Sequence, residues 1–325
     1  MRLLVLGGTQ FVGYHIVGAA LGRGHDVTTF TRGQTRPDAW PKAESLHGDR
    51  DGDLSALEGG SWDAVIDTCG YVPRVVRRSV ELLSPAVTHY IFISTESVYA
   101  DLSGTGIDEV AALASMPDES VEEITEETYG PLKVLCEQVV TAAMPETSLI
   151  VRPGYVVGPR DHTDRFTYWV RRIAHGGEVL GPGPAERPFQ VIDGRDMGEW
   201  IIAMTERRDA GVFNASGPDY RLTFDAMLED CRKATGSDAR VTWVDDALLA
   251  RAGVTPDDLP LWEPAEGGSL GGFEADSSRA IAAGLTFRPL VETAIDTLEW
   301  DRTEGHGSSG LTRAREQKLL ASLRQ

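Results

Sequence analysis

The chain has 325 residues and an ordinary globular composition, enough to bury a large core in one or two domains. Its formal net charge of -19 argues against a nucleic-acid surface, which needs a basic face. Cys69, Cys136 and Cys231 lie far apart without C-x-x-C spacing, and no leader or bilayer-length apolar run is present, so free thiols in a cytoplasmic protein away from any membrane are expected.

The chain opens on Arg2-Leu3-Leu4-Val5-Leu6, a buried-strand pattern. Gly7-Gly8-Thr9-Gln10-Phe11-Val12-Gly13 follows, and then a helical apolar period at Val12, Ile16, Val17, Ala20 and Leu21. A strand, a glycine turn and a helix start favour a phosphate. Glycine lets the backbone come close, and the first helical N–H groups with the positive dipole end attract an anion. The spacing is G-G-x-x-x-x-G, with one turn glycine displaced from the usual dinucleotide fingerprint. An ordinary β-turn-α joint is the plainer reading.

Asp26 to Thr31 reads as a second strand, ending in Thr31-Arg32-Gly33. An acid there would hold a ribose 2′-OH, whereas Arg32 suits a 2′-phosphate, so NADP(H) is preferred with NAD(H) as the alternative. A solvated loop arginine is the plainer account. Glu44 to His47 is a weak third strand before Gly48-Asp49-Arg50, and Asp63 to Asp67 a fourth before Thr68-Cys69-Gly70-Tyr71. A helix over Pro73 to Leu83 and a fifth strand over Tyr90 to Ile93 come next, the strand running into Ser94-Thr95-Glu96-Ser97. This alternation predicts an α/β fold, a Rossmann-type doubly wound parallel sheet. Ligands of such sheets lie beyond the carboxyl ends of the strands. That makes cofactor-binding candidates of Gly7, Gly8, Thr9, Gln10, Phe11, Val12 and Gly13, of Thr31 and Arg32, of Asp49 and Arg50, and of Cys69 and Gly70.

Residues 100–128 are irregular and acidic, read as a solvated loop or a lid over the site. Tyr129 and Lys133 then open a helix and lie one turn apart on one face, with Gly130-Pro131 suited to its first turn. Ser148 to Val151 is a sixth strand. Arg160, Arg165, Arg171, Arg172 and Arg187 follow in a locally basic stretch suited to a phosphate or carboxylate, or simply paired with the excess of acids. An Asp193-capped helix to Thr205, a returning strand over Gly211 to Ser216, a helix over Thr223 to Lys233 and a strand over Arg240 to Val244 come next. Pro260-Leu261-Trp262 and Gly271-Gly272-Phe273 suggest a Gly-rich loop facing the substrate, with Trp262 either stacked on a ring or buried. Helices over Arg279 to Ala283 and Pro289 to Trp300 end the core. A flexible linker over residues 305–310 and a helix over Leu311 to Leu323 close the chain, the helix serving as a docking or dimer element.

Taken in order, Gly7-Gly8-x-x-x-x-Gly13, Ser94-Thr95-x-x-Val98-Tyr99, Tyr129-x-x-x-Lys133, Arg152-Pro153-Gly154-Tyr155-Val156-Val157-Gly158-Pro159 and Val191-Ile192-Asp193-Gly194-Arg195-Asp196 resemble an extended short-chain dehydrogenase/reductase of the NAD-dependent epimerase/dehydratase superfamily. The G-G-x-x-x-x-G turn marks an atypical subgroup. Gly7-Gly8-Thr9 and Phe30-Thr31-Arg32-Gly33 also resemble plant chloroplast stem-loop RNA-binding proteins.

The resemblance implies a catalytic set of Thr95, Tyr129 and Lys133. Tyr129 is the acid/base, Lys133 lowers its pKa and contacts the nicotinamide ribose, and Thr95 orients the substrate oxygen. Pro153 joins the cofactor contacts, and Glu96, Tyr155, Arg187 and Gln190 become substrate-binding candidates. The 4,6-dehydratases of the superfamily carry Asp-Glu after the Thr. Here Glu96-Ser97 fills only the acid position, which disfavours that reaction. The division is then residues 1–155 as the dinucleotide-binding domain, with 189–216 returning to it, and 156–325 as mainly a smaller C-terminal substrate-binding lobe and tail helix. The reading is an NAD(P)-dependent oxidoreductase or epimerase for the hydroxyl or carbonyl group of a small polar substrate, with a sugar nucleotide as one candidate. No metal is expected, and a homodimer is compatible with it. The alternative is a non-catalytic nucleotide-sensing or RNA-binding protein on the same fold.

Overall fold

Leu3, Leu4, Val5 and Leu6 have no exposed surface, which requires a strand covered on both faces. They form β1 (Arg2–Leu6) in a computed structural model that describes residues 1–264, 274–305, 307 and 309–322. The expected Gly271-Gly272-Phe273 loop, and His306, Ser308 and Leu323 of the tail, lie outside the described residues. After β1 come α1 (Phe11–Gly22), β2 (Asp26–Thr31), β3 (Glu44–His47), β4 (Ala64–Asp67), α2 (Pro73–Leu83), β5 (His89–Ile93) and β6 (Thr105–Ile107). Next are α3 (Glu126–Ala143), β7 (Ser148–Pro153), β8 (Tyr155–Val157), α4 (Arg165–Ala174), β9 (Glu178–Pro182), β10 (Val191–Asp193), α5 (Gly194–Arg207) and β11 (Gly211–Ala215). The remainder is α6 (Phe224–Thr235), β12 (Arg240–Val244), α7 (Asp246–Arg251), β13 (Glu274–Ala275), α8 (Ser278–Ala282), α9 (Leu290–Thr303) and α10 (Arg313–Ser322).

Seven strands make one parallel sheet in the order β3-β2-β1-β4-β5-β7-β11. The order reverses between β1 and β4, where a crevice opens beyond the carboxyl ends. Side chains alternate between two cores. Leu3, Val5, Ile66, Ile91 and Val151 pack under α1 and α5. Leu4, Leu6, Val65, Tyr90, Phe92 and Ile150 pack under α2 and α3. Gly198 lets α5 close on α1, since a Cβ there would stand 3.0 Å from the backbone of His15. A third core gathers α4, α6 and α9 around Phe166, Trp169, Phe224 and Leu298. Among the described residues, three parallel pairs, β8 with β10, β9 with β12 and β6 with β13, stand outside the large sheet. The tail helix α10 docks on this third core through a buried Arg172–Glu316 ion pair of 2.6 Å. Among the described residues, no helix is long and apolar enough to cross a membrane.

The structure departs from the sequence reading in three places. Helix α3 begins three residues before Tyr129, because Thr125 and Thr128 form a reciprocal capping box. Pro131 therefore lies inside the helix. Gly130 is needed beside it, since a Cβ would sit 2.0 Å from the Ser97 carbonyl oxygen. The acidic segment is not a free loop. It contains β6, which pairs in parallel with β13, and Glu109 accepts a 2.8 Å hydrogen bond from the Asn214 backbone N–H.

The third departure is Arg50, expected beside a cofactor. It is buried, with its fork on Asp67 at 2.6 and 2.7 Å, and Tyr90 donates to the same carboxylate at 3.0 Å. The guanidinium thus ties the loop after β3 to the end of β4. Asp67→Leu strands a buried cation and costs about 3–5 kcal/mol, read as a lower urea midpoint. Unchanged stability would mean that the pair contributes nothing.

Candidate active site

The glycine turn sits at the carboxyl end of β1. Gly7 and Gly8 both take φ of +100°, a region open chiefly to glycine. A Cβ on Gly13 would stand 2.7 Å from the Gly8 nitrogen, so the helix start must be bare. No side chain caps α1 at Gln10, and no acid lies in its first turn. The first N–H groups are therefore left for an anion, and the residues present fit the diphosphate of a dinucleotide. Trp40 packs over the turn and donates to the Gly8 carbonyl at 2.8 Å.

A cleft of about 690 Å³ runs from this turn past the ends of β4, β5 and β7. The whole run Gly7, Gly8, Thr9, Gln10, Phe11, Val12 and Gly13 lines it, as do Cys69, Pro153 and all of Thr95, Tyr129 and Lys133. Gly70 contributes its carbonyl to Lys133. Thr31, Arg32, Asp49 and Arg50 do not line the cleft; Arg32 and Asp49 are exposed and Arg50 is buried against Asp67.

Lys133 is buried. Its ammonium donates to the carbonyls of Gly70 and Ile93, each at 2.7 Å, and lies 4.2 Å from the Phe92 ring centroid. Burial pulls its pKa down to about 8. Burial raises the Tyr129 phenol, opposed by its hydrogen bond with Thr95 and by the charge of Arg165. Thr95 is fixed by the strand end: its hydroxyl accepts from the Ser97 N–H at 3.2 Å and donates to the Ser97 hydroxyl at 3.1 Å. Tyr71, at the cleft wall, has its ring 5.4 Å from the Lys133 ammonium, and burial pushes its phenol up to about 12.

The expected substrate-binding side chains meet at the other wall. Glu96 is buried and accepts a hydrogen bond from the Ser216 hydroxyl, and burial lifts its carboxyl to about 8. Tyr155 donates to Glu263 at 2.5 Å. Arg187 reaches the cleft with its charge already met: one amino group donates to both Asp246 oxygens at 2.6 and 2.8 Å and to the Gly183 carbonyl at 2.7 Å, and the other donates to the Glu263 carbonyl at 2.5 Å. Gln190 spends its amide on the backbone of Ala275, at 2.8 and 3.0 Å, and so fastens β13. Trp262 is buried, with its indole N–H on Asp246 at 3.0 Å, so burial and not ring stacking accounts for it.

Sequence reasoning singled out neither Tyr71 nor Glu263 for the cleft, nor Ser216, which is buried behind it against Glu96, and did not carry Arg165 forward from the basic stretch. Tyr71 and Ser216 follow strands of the large sheet, and the rule that ligands meet carboxyl ends would have found both. Glu263 carries no local signal. Among the described residues, no cluster of three or more His, Cys, Asp or Glu is arranged to hold a metal.

A family model described as the NAD dependent epimerase/dehydratase family matches residues 73–216. The chloroplast stem-loop binding protein of 41 kDa b from Arabidopsis thaliana is 23% identical over 262 residues, covering 72% of this chain and 63% of that protein. The chain therefore spans less than two thirds of that relative's length. UDP-glucuronic acid 4-epimerase from Bacillus cereus, solved with NAD, superposes with a TM-score of 0.69 at 17% identity, over 94% of this chain and all of that one (100%). The Bordetella bronchiseptica enzyme WbmH, solved with NAD+, gives 0.70 at 15% identity, over 94% and 99%. UDP-glucose 4-epimerase from Thermotoga maritima, solved with UDP-glucose, gives 0.68 at 17% identity, over 93% and 99%. Residues 73–216 are thus similar to the NAD dependent epimerase/dehydratase family, and the fold is that of the solved epimerase structures.

Proposed function

We propose that the chain is an NAD(P)-dependent oxidoreductase or epimerase for the hydroxyl or carbonyl group of a small polar substrate, with sugar nucleotides as the favoured class. The observation that carries this reading is the sharing of one cleft by an uncapped glycine turn and by Thr95, Tyr129 and Lys133. The sugar nucleotide comes from the UDP-sugar names of the structural neighbours. A bound nicotinamide dinucleotide would supply the hydride acceptor or donor. Tyr129 takes the proton of the substrate hydroxyl during oxidation and returns it during reduction. The Lys133 ammonium lies one helical turn away, and its charge favours the phenolate. Thr95 holds the same substrate oxygen. NADP(H) is the preferred cofactor in this reading. Arg32 ends β2, no acid stands beside it, and it has no ion-pair or hydrogen-bond partner among the described residues.

The name of the plant relative motivates a second reading, RNA binding or nucleotide sensing without turnover. The charge of -19 weighs against it, because phosphate backbones are bound by cations.

Fluorescence titration should give tighter binding of NADPH than of NADH, with Arg32→Ala erasing the difference. Preference for NADH would remove the role of Arg32. Binding of neither, together with salt-sensitive RNA binding, would favour the second reading. Tyr129→Phe should lower turnover about a hundredfold to ten-thousandfold while dinucleotide affinity is retained; full turnover would end the acid/base assignment.

Glu96 makes stability depend on pH. The unfolded carboxyl titrates in the ordinary range and the folded one at about 8. Between those values the folded state holds the extra proton, so stability falls as pH rises and the loss is complete above the folded pKa. Glu96→Gln imitates the protonated acid and should keep its urea midpoint across that window. Parallel pH profiles for the two proteins would show that Glu96 does not titrate there.

A further inference from the structure

Among the described residues, Lys133, Arg187 and Arg165 bring three cations to the cleft, and two are spent. The Lys133 ammonium is held by two carbonyls, and the Arg187 guanidinium is neutralised by Asp246. The third is Arg165, the first residue of α4. Its Nε donates to the Thr163 hydroxyl at 3.0 Å, and its guanidinium carbon lies 5.0 Å from the Tyr155 ring centroid. Thr163 is itself pinned, with its hydroxyl and its N–H on Asp161 at 2.6 and 2.9 Å. These contacts fix the stem and plane of the guanidinium. Its two terminal amino groups have no partner among the described residues, and no carboxylate there lies within ion-pair distance.

A planar fork restrained at Nε, with both amino groups open towards a cleft, is a bidentate receptor for a carboxylate or phosphate. Its charge also acts on the Tyr129 and Tyr155 phenols, which puts it near the proposed acid/base. Two carboxyls line the cleft, Glu96 and Glu263, and the buried Asp161 behind Thr163 also interacts with the Arg165 charge. Glu96 is lifted by burial to about 8, so it is mostly neutral at neutral pH, and Glu263 is engaged by the Tyr155 hydroxyl.

We infer that Arg165 is the anion anchor of this cleft, taking a substrate carboxylate or phosphate in its guanidinium fork close to Tyr129. The inference rests on the sugar-nucleotide reading above and deepens it. It gives the receiving role to Arg165 and leaves Arg187, paired with Asp246, as a structural wall.

The test uses the full chain with saturating dinucleotide, titrated calorimetrically with UDP-glucose and with UDP-glucuronic acid. Both probes carry the diphosphate, and only the second carries a sugar carboxylate. Arg165→Met keeps the length and removes the fork; Arg165→Lys keeps the charge without the fork. The expected result is a loss of about tenfold to a hundredfold in affinity for Arg165→Met, partly recovered by Arg165→Lys. A loss confined to UDP-glucuronic acid assigns the anchor to a sugar carboxylate, and an equal loss for both probes assigns it to the diphosphate. Unchanged affinity of Arg165→Met for both probes overturns the inference. So does a parent protein that binds dinucleotide and neither probe, a result that leaves the cofactor half of the proposed function standing. A parent that binds no dinucleotide overturns both. Dinucleotide titration of each variant checks that its fold is intact.

Discussion

A buried ammonium holds this structure together at its working edge. Lys133 comes from α3, and the carbonyls that receive it belong to Gly70, after β4, and Ile93, at the end of β5. Moving a charge from water into a low dielectric is costly unless donors are satisfied. Two carbonyls and the face of Phe92 offset part of that cost, and burial still pulls the pKa down to about 8. The same contacts fix α3 against the sheet, and with it Tyr129. The separation of Thr95 and Tyr129 is thereby set by the sheet and not by a flexible loop. Gly130 completes the arrangement by allowing the helix to touch the Ser97 backbone.

The sheet and its helices were legible because their signals are local. Periodicity two or near-continuous apolar runs gave the strands, and periodicity 3.6 gave the helices packed on them. The glycine turn was legible for the same reason, since its backbone needs are written in residue type. The pairing partners of charged side chains were not. Arg50 and Arg187 both look like ligands for phosphate in one dimension. Only the fold brings Asp67 to one and Asp246 to the other, from 17 and 59 positions away. Arg165 carried no sign of being different from its neighbours. Arg171 and Arg172 are paired with Asp301 and Glu316, and that contrast exists only in three dimensions.

Helix boundaries failed for a related reason. The Gly130-Pro131 pair suits a helix start, but the Thr125 capping box lies upstream and decides where α3 begins. The acidic segment is exposed over most of its length, as a solvated loop would be, and what its sequence did not announce is the short strand β6. Its edges are recruited by distant backbone and side-chain groups, Asn214 and β13 among them.

The β6–β13 pair has a consequence for how the molecule forms. Its two strands are separated by more than half of the chain, and each is too short to hold the other without support. Closing so large a loop carries an entropic penalty that only contacts made elsewhere can offset. The large sheet has mostly neighbouring strands and βα units, so it condenses on nearer contacts. The rim that joins residues 105–107 to 274–275 therefore depends on the rest of the fold to stay closed. On a growing chain the glycine turn and Lys133 are synthesised well before Ala275, through which Gln190 fastens this wall.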